Sequence, residues 1–150
     1  MANQSYPIPK SNPNAHMSIM FFLVWIVNML VIFLANKLFP NNIVLGTMSL
    51  SPFVALVLST GVLAWATTVT MPIFTEIEIR KQMVLTPQHW LIGYLLLNFI
   101  SLWVVARFAD SLGLGISSWF VVLALAAVLD FVQGMTIMAY GQARKPSSQK

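Results

Sequence analysis

The stretch WFVVLALAAVLDFVQGM, residues 119–135, decides the solvent in which this chain folds. Eleven apolar residues precede its one charged side chain, Asp130, and the predominantly apolar run extends over residues 116–140. A run of about 20 such residues, at a rise of ~1.5 Å per residue, crosses the ~30 Å hydrocarbon core of a bilayer. The stretch therefore predicts a membrane-spanning helix with a carboxyl group near its middle.

The composition of the whole chain agrees with a membrane protein. Of its 150 residues, 58% are apolar and 8% are charged, and the mean hydropathy is +0.80, whereas about a quarter of the residues of a soluble domain are charged. There is no cysteine, which excludes disulfides and thiolate metal sites. The net charge of +4 lies mostly at the ends of apolar runs and forms no basic stripe of the kind that binds nucleic acid.

The sequence predicts four spans and an all-α fold, an integral membrane four-helix bundle. The spans are residues 17–38, 50–71, 88–109 and 116–140. They are predicted as helices because backbone groups in lipid must be satisfied within the segment. Ser51-Pro52 and Thr86-Pro87 each place an N-cap hydroxyl before a proline at the first helical position.

The spans divide the chain into three parts. Residues 1–16 are predicted to be a disordered tail, residues 17–140 the membrane domain, and residues 141–150 a basic tail. Within the membrane domain, the two hairpins 17–71 and 88–140 flank a loop at 72–87. Six Lys and Arg residues lie in the tails and this loop, against two in the other loops. This asymmetry predicts that both termini are cytoplasmic.

The two hairpins share a sequence pattern. Asn28 and Asn98 are 70 residues apart, and so are Lys37 and Arg107. Each asparagine lies near the middle of its span, and each basic residue lies nine residues later, at the end of that span. The pattern predicts an internal repeat of two hairpins inserted in the same direction. The alternative is a chance alignment in a chain of low complexity.

The same positions carry a family resemblance. The matching residues are Val27-Asn28, Leu97-Asn98, Pro40-Asn41-Asn42-Ile43 with Gly46, and Met71-Pro72-Ile73. In these motifs, spread over residues 19–140, the chain resembles the four-span phage holin-like family (holin superfamily IV). The resemblance implies two helical hairpins in a bacterial cytoplasmic membrane, a protein that associates with itself, and no enzymatic activity.

Five polar residues near the span centres form the candidate intramembrane site. They are Asn28, Thr60, Asn98, Asp130 and Gln133. An unpartnered polar group in hydrocarbon is costly, so we expect these side chains to face one another inside the bundle. Asp130 is expected to face inward with Gln133 beside it. Such bonds contribute about 0.6 kcal/mol each on average, so they orient packed helices more than they hold them together.

Asp130 is of a different kind from the amides. An aspartate at the centre of a spanning helix costs about 2.5–3.5 kcal/mol to insert. No Lys or Arg lies at that depth on any span. The carboxyl group is therefore either neutral, as one member of a structural network, or served by water, Na⁺ or H⁺, as a functional site.

The other charged and polar residues do not indicate a specific functional site. Residues 76–81, EIEIRK, alternate like a strand or an interfacial segment. Arg107 and Asp110 are three residues apart and are expected to form at most a weak surface pair. His16 and His89 lack a third metal ligand nearby. We predict no metal, no cofactor and no enzyme, because the sequence has neither a nucleophile–base set nor a phosphate-binding glycine loop.

Three functions remain open from the sequence. The first is a non-enzymatic, holin-like protein that oligomerises in the membrane. The second is a small ion- or proton-coupled transporter, or a channel subunit, that uses Asp130. The third is an accessory subunit of a membrane complex that docks through residues 75–87. Membrane lipid and a membrane partner, a second copy included, are the expected partners in each case, and nucleic acid is not.

Overall fold

The computed structural model describes residues 13–81 and 86–143. In chain order the elements are α1 (Pro13–Leu38), β1 (Ile43–Leu45), α2 (Pro52–Lys81), α3 (Pro87–Arg107), α4 (Ala109–Leu112), β2 (Leu114–Ile116) and α5 (Trp119–Ala143). Each of the four long helices contains a stretch long and apolar enough to cross a membrane. Even α3, with 21 residues, is ~31 Å long. By length and composition the chain is a multi-pass membrane protein.

The four long helices form a ring in which each packs against two neighbours. Helix α1 packs against α2 and α5, and α3 packs against the same two helices. Within the described residues, α1 does not contact α3 and α2 does not contact α5. The hairpins α1–α2 and α3–α5 are therefore two opposite sides of one bundle. This arrangement confirms the predicted helices and their bundle.

The outer surface of the bundle is apolar, and its interior contains polar side chains. Outward-facing residues such as Ile26, Leu30 and Phe131 are 53%, 57% and 67% exposed. Asn28, Asn98 and several threonines are buried instead. This distribution is the one expected in a bilayer, where an exposed apolar side chain meets lipid and a polar side chain needs a partner within the protein.

The two hairpins bury positions at the same spacing. The buried residues of α2 include Ala55, Leu56, Ser59 and Leu63, and those of α5 include Leu125, Ala126, Leu129 and Gln133. Each residue of the second set lies 70 positions after its counterpart in the first. On α1 and α3 the fully buried pairs Asn28 with Asn98 and Ile32 with Leu102 have the same separation.

A two-stranded antiparallel ribbon joins the hairpins at the end of the bundle away from the start of α1 and the end of α5. Strand β1 pairs with β2 in the register Ile43↔Ile116 and Leu45↔Leu114. Two further backbone bonds extend the ribbon, from Ser117 N to the Asn42 carbonyl and from Gly46 N to the Gly113 carbonyl. An all-α prediction omits this ribbon, because each strand has three residues and its partner lies about 70 positions away in the chain.

Helix α2 is longer than the predicted span, which corrects two expectations. The expected loop at 72–87 is helical as far as Lys81, and Pro72 lies inside the helix, so Met71-Pro72-Ile73 is not a turn. The strand-like segment 76–81 is helical as well. The Arg80 Nε donates to the Glu76 carboxylate at 2.9 Å, a pairing at i and i+4 that stabilises a helix. Extending an existing helix avoids the cost of nucleation.

The helix starts differ in detail from the predicted caps. The Ser51 hydroxyl accepts a bond from Val54 N at 3.4 Å, as an N-cap does. Thr86 occupies the N-cap position of α3 without capping the backbone. Its hydroxyl instead pairs with His89 Nδ1 at 2.6 Å. Helix α1 begins at Pro13, within the predicted tail 1–16. Residues 1–12, 82–85 and 144–150 lie outside the described part of the chain.

Gly113 provides a test of the close approach between the ribbon and α2. Its φ is +78°, and a Cβ placed there would lie 2.3 Å from the Ala55 Cβ. We expect Gly113→Ala to lower the free energy of unfolding by about 1–2 kcal/mol from the backbone conformation alone, with the steric overlap adding to that loss. Thermal unfolding in detergent, followed by circular dichroism, measures the change.

Gly141→Ala is the matched control, because nothing lies within 4 Å of a Cβ at this helical position. A helical Gly→Ala change is neutral or stabilising by up to about 1 kcal/mol. Equal unfolding temperatures for the two variants would contradict the tight junction at Gly113.

Candidate intramembrane polar site

Gln133 is the centre of the buried polar cluster. Its side-chain Nε2 donates to Asn28 Oδ1 at 2.6 Å, and its Oε1 accepts a bond from Asn98 Nδ2 at 3.2 Å. Asn28, Asn98 and Gln133 are 0%, 1% and 3% exposed. One side chain from α5 thus links α1 and α3, the two helices that do not touch each other.

The chemistry of an amide explains why a glutamine fills this position. Its amide group both donates and accepts, so it can bond to the carbonyl of one asparagine and the amide of the other. An ionised carboxylate accepts only and could not donate to Asn28. The side chain of Gln133 also extends from a helix that packs against both α1 and α3. The geometry and the chemistry therefore favour Gln133 over its neighbour Asp130.

Two buried side-chain polar atoms in the described part of the chain have no hydrogen-bond partner, and one of them belongs to the cluster. They are Asn28 Nδ2 and Thr68 Oγ1. A buried donor without a partner costs about 1–3 kcal/mol. The asparagine cluster therefore gains two hydrogen bonds but leaves one buried donor unpaired. Because that cost offsets the gain, the cluster fixes the helix positions more than it stabilises the bundle.

Asp130 does not join the asparagines, contrary to the expectation from the sequence. Its side chain is half-buried and makes no hydrogen bond within the described residues. It follows the buried Leu129 and precedes the exposed Phe131, so it lies at the edge of the inward-facing stripe of α5. At ~100° per residue, Gln133 and Asp130 are ~60° apart around the helix. Only one of them can point at the bundle centre.

Thr60 belongs to a different contact from the one predicted. Its hydroxyl donates to the Leu56 carbonyl at 2.6 Å and accepts from Trp25 Nε1 at 3.1 Å. The same indole N–H lies 3.2 Å from the Val57 carbonyl. Thr60 and Trp25 therefore fasten α1 to α2, and their bonds do not include the asparagine cluster.

Trp25 is the residue that sequence reasoning missed. It lies well inside the first span, where its indole N–H needs a partner. That requirement was the available signal, because a tryptophan in the interior of a span differs from the tryptophans at span ends. On α2, a stripe of small and hydroxyl-bearing residues is buried, formed by Thr60, Ala64, Thr67 and Thr68.

The two basic residues at the ribbon end of the bundle lie over aromatic rings. Lys37 Nζ is 5.7 Å from the centroid of the Phe33 ring, and Arg107 Cζ is 5.4 Å from that of Trp103. The predicted pairing of Arg107 with Asp110 is absent, and Arg80 with Glu76 is the ion pair found among residues 13–81 and 86–143. The aromatic ring one helical turn earlier is the contact that Arg107 makes instead.

The chemistry available at membrane depth is limited by these side chains. Amides neither gain nor lose a proton near neutral pH, so the Asn28–Gln133–Asn98 cluster is electrically neutral. Asp130, three residues before Gln133, carries a titratable carboxyl group on α5, which packs against α3 along a seam, here called the α3–α5 seam. The carboxyl group of Asp130 is therefore the group to which a proton, a cation or a partner's donor would bind.

Comparisons of the chain with protein-family models, with curated proteins and with solved structures find no match.

The Gln133 bridge can be tested by removing one or both partners of a bond. Gln133→Leu leaves the Asn28 carbonyl and the Asn98 amide unpaired, so we expect the free energy of unfolding to fall by about 1–3 kcal/mol. Because losing both partners costs less than losing one, adding Asn98→Leu recovers part of that loss. Unfolding by dodecyl sulfate in mixed micelles measures both. Strictly additive losses from Asn98→Leu and Gln133→Leu would show that the two amides are not coupled.

Proposed function

We propose that this chain is a non-enzymatic, holin-like membrane protein that associates with copies of itself within the bilayer, along the seam between α3 and α5. The observation that carries the proposal is Asp130, a half-buried carboxyl group near the middle of a span with no hydrogen-bond partner among residues 13–81 and 86–143. A second copy placed against this seam would bury the carboxyl group and supply it with a donor.

The free energy of a polar group in lipid supports this need for a partner. Inserting an aspartate at a helix centre costs about 2.5–3.5 kcal/mol, and a carboxyl group left without a donor recovers none of it. Polar side chains in spans face protein or a water-filled space. The described residues of the chain supply no donor to Asp130, so a neighbouring subunit is the simplest source of one.

The internal repeat, which we propose as a true duplication, explains why the chain leaves Asp130 open. Thr60 lies 70 residues before Asp130, and Trp25 lies 70 residues before Leu95. In the first hairpin the Trp25 indole bonds to Thr60. In the second hairpin the corresponding position holds a leucine, which has no donor. The second hairpin thus carries a stronger polar group and lacks the side chain that would satisfy it.

The surface beside Asp130 is suited to close helix packing. Ala127 and Gly134 lie three residues before it and four residues after it, and therefore flank it on one side of α5. Ala127 is exposed, and nothing lies within 4 Å of a Cβ built on Gly134. Small residues at such spacings allow two helices to approach closely in lipid.

The remaining parts of the proposal follow from the sequence pattern. The motifs around Asn28, Asn98 and the Pro40–Gly46 turn resemble the holin-like family. The excess of Lys and Arg in the tails and the second loop supports cytoplasmic termini in a bacterial cytoplasmic membrane. Gly46 of that turn has φ +100° and ends the ribbon, so the resembling motif has a defined structural role.

Asp130→Leu separates association from folding. We expect the variant to be monomeric in vesicles in which the wild-type chain forms dimers or larger assemblies. The stability of the monomer should rise, because an unpaired carboxyl group is replaced by an apolar side chain. Counting of photobleaching steps at low protein density measures association, and dodecyl sulfate unfolding measures stability.

Asp110→Leu is the control, since it removes the same charge from an exposed residue of α4, outside the spans. A wild-type chain that is monomeric at all protein densities would refute self-association, and a different membrane protein would then be the partner of Asp130. A loss of stability in Asp130→Leu would show that the carboxyl group is an internal structural element.

A proton- or ion-coupled transporter subunit is the second candidate, favoured by a half-buried carboxyl group, Asp130, near the middle of a span. In proteoliposomes with an imposed pH gradient, Asp130→Asn should abolish a proton flux that the wild-type chain supports. Absence of flux in the wild type, or normal flux in Asp130→Asn, would exclude this function.

A further inference from the structure

An elongated groove runs between α1 and α5 in the half of the bundle nearest the ribbon. Its volume is about 530 Å³, and its walls include Leu34 and Leu38 from α1 and Ala124 and Val128 from α5. These residues are exposed in the chain, so the groove opens sideways toward the hydrocarbon of the bilayer. It lies on the other side of α5 from the Asp130 seam, because α5 packs against α1 on one side and α3 on the other.

The length of the groove matches one leaflet of a bilayer. On α5 its lining extends from Phe120 to Val132, which at ~1.5 Å per residue is ~18 Å. Half of a ~30 Å hydrocarbon core is ~15 Å. Val132 is adjacent to Gln133, near the middle of the span, and Phe120 lies at the membrane surface. The groove therefore begins at the headgroup level and ends near the midplane.

The two ends of the groove differ in polarity. The surface end includes Asn42, whose Nδ2 donates to the exposed Ser117 hydroxyl at 3.1 Å. The inner end is formed by Val31 and Val132. A molecule that fits this gradient has one polar end and a hydrocarbon chain about one leaflet long, which is the description of a phospholipid.

The groove's length and its apolar walls match a single extended hydrocarbon chain. A helix of a second copy is the alternative occupant, and the crosslinking below distinguishes it from a lipid.

We propose that this groove is a phospholipid site, in which one acyl chain lies between α1 and α5 and the headgroup lies beside Asn42 and Ser117. The site is independent of the self-association proposed for the α3–α5 seam. Its lipid belongs to the leaflet on the ribbon side and exchanges with the bulk bilayer more slowly than the lipids on the outward faces of α3.

The test uses the full chain reconstituted with phosphatidylcholine that carries a diazirine near the end of one acyl chain. After brief detergent washing and photolysis, we expect label at Val128 and Val132 at several times the level at Ile100, which is 58% exposed on α3. Native mass spectrometry of the washed protein should show one phospholipid retained per chain.

Ala124→Trp fills the groove, and we expect it to reduce both the label and the retained lipid several-fold. Leu123→Trp is the matched control, because Leu123 is 37% exposed on α5 and does not line the groove. It should leave both readings unchanged.

Three results would overturn the site. Label at Val128 and Val132 equal to that at Ile100 in the wild-type chain would show only bulk lipid at the groove, whether or not the variants fold. Equal retention in Ala124→Trp and Leu123→Trp would place the bound lipid elsewhere. Crosslinks from groove residues to a second copy would make the groove a protein interface.

Discussion

The bond pair made by Gln133 is the interaction on which the bundle's interior depends. Helices α1 and α3 lie on opposite corners of the ring and share no direct contact in the described part of the chain. Gln133 reaches both through one amide, with Asn28 at 2.6 Å and Asn98 at 3.2 Å. In lipid, apolar faces have no preference for one another over acyl chains, so a buried polar bridge specifies which faces point inward.

The ribbon also fixes the arrangement of the helices, at one end of the bundle. Each hairpin is held together locally, by packing and by the bond from Trp25 to Thr60 in the first hairpin. The pairing of β1 with β2 joins the two hairpins through residues that are about 70 positions apart in the chain. The close approach of Gly113 to Ala55 fixes the ribbon against α2. The bundle is thus constrained at its middle by amides and at one end by backbone pairing.

Asp130 belongs neither to the amide cluster nor to the ribbon, so its role differs from that of the buried amides. The amides of the interior bond to one another, although Asn28 Nδ2 and Thr68 Oγ1 have no partner. The carboxyl group lies at the edge of the core, with no donor in the described part of the chain. The groove between α1 and α5 is wholly apolar except at its surface end. We therefore propose different occupants for these two features, a hydrogen-bonding partner at the α3–α5 seam and a hydrocarbon chain at the α1–α5 groove.

The sequence by itself predicted a membrane protein, its four helices and the polar residues near the centres of the spans, because span length and hydropathy are local properties of the chain. It also determined that Asn28 and Asn98 are equivalent in depth. Only the tertiary structure decided that Gln133 bonds to them and Asp130 does not, since ~60° of helix rotation separates the two side chains. The ribbon and the Trp25–Thr60 bond likewise depend on contacts between segments that are distant in the chain. The helical structure beyond Pro72 depends on the continuation of a helix that has already formed.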